Sequence, residues 1–158
     1  MSINRILVVD DEESARDMLR EYFTDAGYEV VTASGGEEAL GKFAPEKYDC
    51  VICDLFMPDK DGIEVLKMVR LQDSQVIFLM VTGFPSIDNA IKAMKEGATD
   101  YITKPFHMED IMIKVARALN AKKTVESLRK VTGLFWGIII SIPIWLILGI
   151  IMGIFWKK

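Results

Sequence analysis

Two rhythms of apolar and polar positions take turns along the first 120 residues. "RILVVD" (5–10) is an unbroken apolar run, as a strand shows when both its faces are covered. "SARDMLREYFTDAG" (14–27) then places Ala15, Met18, Leu19, Tyr22 and Phe23 on one side of a helix, with Gly27 as its stop. "YEVVTA" (28–33) predicts a second strand. "GGEEALGKFAPEK" (35–47) predicts a short helix whose first-turn acids suit the helix dipole. "DCVICD" (49–54) and "GIEVLKMVR" (62–70) predict the third strand and helix, and "QVIFLMVT" (75–82) the fourth strand. In "SIDNAIKAMKEG" (86–97) Ser86 is the expected N-cap and Gly97 the expected stop. "DYITK" (100–104) is a fifth strand, and a helical pattern runs from His107 past Ala118 toward Val131. Five βα units in succession predict an α/β fold: a doubly wound, five-stranded parallel sheet with right-handed crossovers and helices on both faces.

In such sheets the working site lies outside the carboxyl ends of the strands. Asp10 and Asp11 fall there after the first strand, Asp54 after the third, Thr82 after the fourth and Lys104 after the fifth. Crowded carboxylates repel one another unless a cation sits among them, and a few carboxylates plus water suit Mg²⁺. A metal-bound carboxylate beside a hydroxyl and an ammonium is an arrangement for phosphoryl transfer to an aspartate. Any one of these residues alone reads as a solvated turn residue or cap; their joint placement on one edge carries the argument.

"VVDDE" (8–12), "DLFMPDKDG" (54–62), "MVTG" (80–83) and "DYITKPF" (100–106) resemble the signatures of CheY-like response-regulator receiver domains, over residues 4–120. "TGFPSIDNAIKAMKEGATDYITKPF" (82–106) resembles receivers of the nitrogen-regulation type. The resemblance implies a flavodoxin-like receiver fold with Asp54 as phosphoacceptor. It implies Mg²⁺ held by Asp10 (mainly through water), Asp11, Asp54 and the backbone carbonyl of Phe56, with Lys104 pairing the phosphoryl group. It also implies a cis bond at Lys104–Pro105, and a switch pair, Thr82 and Tyr101, that remodels the face of the fourth helix, fifth strand and fifth helix. The expected partners are a sensor histidine kinase or phosphotransfer protein and an unidentified downstream protein. The chain would be no enzyme beyond its own phosphorylation and dephosphorylation. A flavodoxin-type flavin binder would need a phosphate-cradling loop where "DDEE" would repel phosphate. A haloacid-dehalogenase-type phosphohydrolase would need its nucleophile after the first strand in a D-x-D pattern, which "VDDEES" lacks.

Charge and hydropathy divide the chain further. Residues 1–120 hold 13 basic and 22 acidic residues, net −9, whereas 121–158 hold six basic and one acidic, net +5. An acidic body argues against nucleic acid as a partner. Cys50 and Cys53 form C-x-x-C, but residues three apart on a strand point to opposite faces, so they read as reduced packing residues. His107 reads as a first-turn helix residue, not a phosphodonor. The chain opens without a signal-peptide core, which puts the receiver in the cytoplasm. Leu134 to Trp156 carries no charge, and at 1.5 Å per residue a helix of that length spans about 34 Å, enough for a bilayer core. Phe135–Trp136 and Phe155–Trp156 would lie at the two interfaces. The expected organisation is therefore a receiver domain (1–120), a basic juxtamembrane helical linker (121–132) and a transmembrane tail anchor (133–158) in the place of an output domain. That makes a single-pass protein of the cytoplasmic (inner) membrane, with the lipid bilayer as partner. Gly149-x-x-x-Gly153 offers a face for a homodimer through the membrane helix. The rival readings of the whole are a docking scaffold indifferent to phosphorylation, and a phosphate sink without output of its own.

Overall fold

The structure, a computed structural model, describes residues 4–125. Nine elements follow in strict alternation: β1 (Arg5–Val9), α1 (Glu13–Asp25), β2 (Glu29–Ala33), α2 (Gly36–Lys42), β3 (Cys50–Asp54), α3 (Gly62–Gln72), β4 (Ile77–Thr82), α4 (Ile87–Lys95) and β5 (Asp100–Thr103). A further helix, α5, occupies 108–125 up to the last described residue. All strand pairs are parallel, in the order β2-β1-β3-β4-β5. This is the five-stranded parallel α/β sheet that the alternation predicts. Residues 1–119 form one compact unit that holds the whole sheet.

The unbroken apolar runs are where both faces of the sheet are covered. Leu7, Val9, Val51, Cys53, Phe78 and Met80 pack on one face against residues of α2, α3 and α4. Ile6, Val8, Cys50, Ile52, Leu79 and Val81 pack on the other against Leu19 and Phe23 of α1 and Ile111, Val115 and Leu119 of α5. Cys50 and Cys53 are both buried, form no disulfide and lie on opposite faces, as the strand reading requires.

One difference from the sequence reading concerns a helix end. α2 ends at Lys42 instead of running to Lys47, because Phe43 turns extended (φ −70°, ψ 137°) and Pro45 restricts the residue before it. α4 fully buries one side chain, Ala93, while Ile87, Ile91 and Met94 stand outward at 79, 48 and 49% exposure. The expected membrane span (133–158), and most of the expected linker (121–132), lie outside the described residues. Among the described residues no helix is long and apolar enough to cross a membrane.

Candidate functional site

β1, β3 and β4 each end on a polar side chain that the fold buries: Asp10 just beyond β1 (3% exposed), Asp54 closing β3 (6%) and Thr82 closing β4 (0%). One local device places all three. The side-chain oxygen accepts a hydrogen bond from the backbone N–H two residues on: Glu12 N to Asp10 Oδ1 (3.0 Å), Phe56 N to Asp54 Oδ2 (2.8 Å) and Phe84 N to Thr82 Oγ1 (3.1 Å). Asp, Ser and Thr make such turns readily, so each strand bends away at its carboxyl end while leaving its functional side chain behind at the edge.

Lys104 follows β5 directly and reaches across that edge. Its Nζ lies 2.7 Å from Asp10 Oδ2 and 2.9 Å from Asp54 Oδ1. The peptide bond between Lys104 and Pro105 is cis, as the resemblance implies. Burial raises the Asp54 pKa above its ordinary value, against the opposing hydrogen bond and charge of Lys104. Burial works to lower the Lys104 pKa, but the hydrogen bonds and charges of Asp10 and Asp54 outweigh it, and the ammonium stands above its ordinary value.

Asp10, Asp54 and Lys104 line an open cleft of about 320 Å³, with Asp11, Glu12, Phe56, Gly83 and Phe84 completing its walls. Asp11 is exposed. The rings of Phe56 and Phe84 meet edge to face, 6.0 Å between centroids, across the cleft mouth. Tyr101, the expected partner of Thr82 in switching, pairs in register with Met80 and packs against the α2–α4 face of the core. Its hydroxyl is buried and has no hydrogen-bond partner among the described residues.

Asp10, Asp11, Asp54 and the Phe56 carbonyl are all hard oxygen donors beside one cleft, which fits a small divalent cation in chemistry. Among the described residues, however, no three acidic, His or Cys side chains are gathered closely enough to enclose an ion. The Lys104 ammonium is the cation that joins Asp10 to Asp54, and Asp11 stands outside that pair.

Sequence reasoning placed Asp10, Asp11, Asp54, Phe56, Thr82 and Lys104 on this edge; the structure brings all but Thr82 to the lining of one cleft, and Thr82 lies buried at the end of β4. It missed Arg16, whose Nη1 donates to the carbonyls of Asp10 (2.7 Å) and Asp11 (3.0 Å) and so holds the acidic turn from α1. It also missed Asp59, whose carboxylate accepts from Gly36 N (3.1 Å) and Glu37 N (2.7 Å) at the start of α2. A basic residue one turn into a helix after an acidic loop, and a helix opening on Gly-Gly with no cap of its own, were the available signals.

Known proteins with this pattern agree on what it is. The model of the response regulator receiver domain matches residues 6–116. The chain is 37% identical over 138 residues to the regulatory protein AtoC of Escherichia coli (strain K12), covering 85% of this chain and 30% of that protein. It is 42% identical over 115 residues to the alkaline phosphatase synthesis transcriptional regulatory protein PhoP of Bacillus subtilis (strain 168), covering 73% and 48%. The matches thus span between about a third and a half of those relatives' length. Among solved structures, a receiver domain protein (CheY-like) from Methanospirillum hungatei JF-1 superposes with a TM-score of 0.75 at 31% identity, covering 78% of this chain and 98% of that one. The chemotaxis protein CheY4 of Vibrio cholerae gives 0.68 at 36% identity, covering 74% and 99%. With the fold, the edge and the relatives in accord, the chain belongs to the response regulator receiver domain family.

Proposed function

We propose that this chain is a phosphoryl-accepting response regulator held at a membrane by its C-terminal segment, with Asp54 as the acceptor. One observation carries the first half: a single ammonium, Lys104, joins Asp10 to Asp54 at the end of three strands. In the reaction an Asp54 oxygen attacks phosphorus; the new O–P bond forms as the donor's bond to phosphorus breaks, and the electron pair leaves with the donor. Lys104 can pass one of its hydrogen bonds to a phosphoryl oxygen without leaving Asp10, and the Thr82 hydroxyl can donate to another. A Mg²⁺ ion held by Asp10, Asp11, Asp54 and the Phe56 carbonyl would supply positive charge opposite the phosphoryl oxygens. The physiological donor is then a sensor histidine kinase or a phosphotransfer protein. The response is a change in the face of α4, β5 and α5, through Thr82 and Tyr101, read by a downstream protein and not by nucleic acid. The motif run 82–106 supports a kinship with nitrogen-regulation-type receivers. Beyond its own modification the chain catalyses nothing.

The sequence supports the second half: 134–156 is uncharged and aromatic at both ends, with basic residues 122, 123, 129 and 130 before it. On this reading the receiver lies on the cytoplasmic side of a single-pass anchor, which Gly149 and Gly153 could pair with a second copy.

Two measurements test the proposal. Full-length protein incubated with acetyl phosphate and Mg²⁺ gains the mass of one phosphoryl group, and Asp54→Asn does not; an unmodified wild type rejects the acceptor. Cell membranes retain the protein through carbonate washing and release it into detergent; release by salt alone rejects the anchor.

A further inference from the structure

Seven residues separate Asp54 from the start of α3, and the loop they form is fixed at two ends in different ways. Its base is closed by backbone: Leu55 N donates to Val81 O (2.8 Å) and Gly62 N to Leu55 O (2.8 Å). The return is so tight that a Cβ at Gly62 would lie 2.3 Å from the Asp54 carbonyl oxygen. Its apex carries Asp59, and here the loop is tied to another element altogether. Both Asp59 oxygens are taken up by successive amides of α2, Gly36 and Glu37, and Lys60 Nζ adds a looser contact to Glu37 at 3.7 Å. Those amides hold the Asp59 pKa below its ordinary value.

The start of α2 is built around this tie. Gly35 occupies the N-cap position in an extended conformation, with no side chain to cap the helix. A Cβ there would lie 2.8 Å from each Asp59 oxygen, and one at Gly36 would lie 2.7 Å from Lys60 Cβ and 2.9 Å from the Lys60 carbonyl oxygen. The helix gives up its own cap so that the loop can supply one. Between base and apex sits Phe56, whose N–H holds Asp54 Oδ2 and whose ring stands at the cleft mouth.

We propose that Asp59 is a positioning residue for the chemistry at Asp54. Its tie to α2 fixes the course of the loop, and with it where the Phe56 amide and ring stand relative to the acceptor carboxylate. The proposal rests on Asp54 being the phosphoacceptor. A cap that served α2 alone would be interchangeable with one supplied by the helix itself, whereas a positioning tie would not.

The geometry allows that exchange. Asp59→Ala removes the carboxylate and vacates the space that forbids a side chain at position 35; adding Gly35→Asp then returns a cap to α2 from within its own chain. Gly35→Ala does the converse, keeping Asp59 but placing a methyl where its carboxylate rests. Full-length variants are followed by intact mass during phosphorylation with acetyl phosphate and Mg²⁺ and during subsequent loss, well below the melting temperature of each. Melting is recorded alongside, and the Phe56 amide proton shift is read in the unmodified proteins. The double variant should recover the wild-type melting temperature, yet gain or lose its phosphoryl group at rates changed by about tenfold, with a displaced Phe56 amide signal. Gly35→Ala should show the same change in rate and signal. Wild-type rates and a wild-type Phe56 shift in both would overturn the proposal and leave Asp59 a helix cap. A wild type that takes up no phosphoryl group fails at the earlier step, and overturns the acceptor reading on which this one stands.

Discussion

Asp54 loses most of its water to the core beneath it, and the Lys104 ammonium returns only part of what is lost, so its pKa rises above the ordinary 3.8. Between 3.8 and that raised value the folded chain binds a proton that the unfolded chain has released. Stability from this group therefore falls as pH climbs through that window, and at neutral pH the whole cost is present. Asp54→Asn keeps the shape and removes the charge. In metal-free buffer it should unfold at higher urea than the wild type at pH 7, and the gap should close as pH falls to about 3.8, below which both carry a neutral side chain. A lower urea midpoint for Asp54→Asn at pH 7 would mean that the pairing with Lys104 outweighs burial. The proposed phosphoacceptor is on this account a residue the fold holds at a disadvantage.

Helix ends show what single elements contribute. α1 and α4 both stop at a glycine of positive φ, Gly27 (88°) and Gly97 (96°). In each, the next residue's amide reaches back to close the last turn: Tyr28 N to Phe23 O (3.0 Å) and Ala98 N to Ala93 O (2.9 Å). Arg70, near the end of α3, then locks three carbonyls together: Gly97 through Nε (2.9 Å), and Val76 (2.8 Å) and Asp73 (3.3 Å) through Nη1. Arg70→Ala should cost about 1–3 kcal/mol in urea unfolding, since partly buried carbonyls lose their donor and the stem its packing. A loss under about 0.5 kcal/mol, the usual range for an ordinary surface residue, would show that water replaces the guanidinium fully. Elements of this kind were unevenly legible in the sequence. Gly27, Gly97 and the Ser86 cap could be read because each acts on its own helix within a few residues. The strands could be read because burial on both faces makes them continuously apolar. Arg70 to Gly97 and Asp59 to Gly36 could not, because each joins groups 23 or more residues apart whose nearness only the folded sheet creates. The same holds for the pairing of Asp10 with Asp54 through Lys104: the residues were legible from strand order, their mutual geometry was not.

On the scale of the whole molecule, two helices on the same face of the sheet grip its core unequally. α3 sends Ile63, Val65, Leu66 and Val69 into the α2–α4 side of the core, whereas α4 sends in Ala93. An element held by one buried methyl group opens at little expense while the rest of the chain stays folded. Amide hydrogens of α4 should therefore exchange with deuterated solvent well before those of α3, by a local route that mild denaturant scarcely accelerates. Equal protection in the two helices would refute this. The outward Ile87, Ile91 and Met94 give that looseness a direction, since any surface that covers them tightens α4 by the area it hides. Solvent exchange at this one helix would then work as a gauge of occupancy, slow when a surface is bound and fast when the helix is bare.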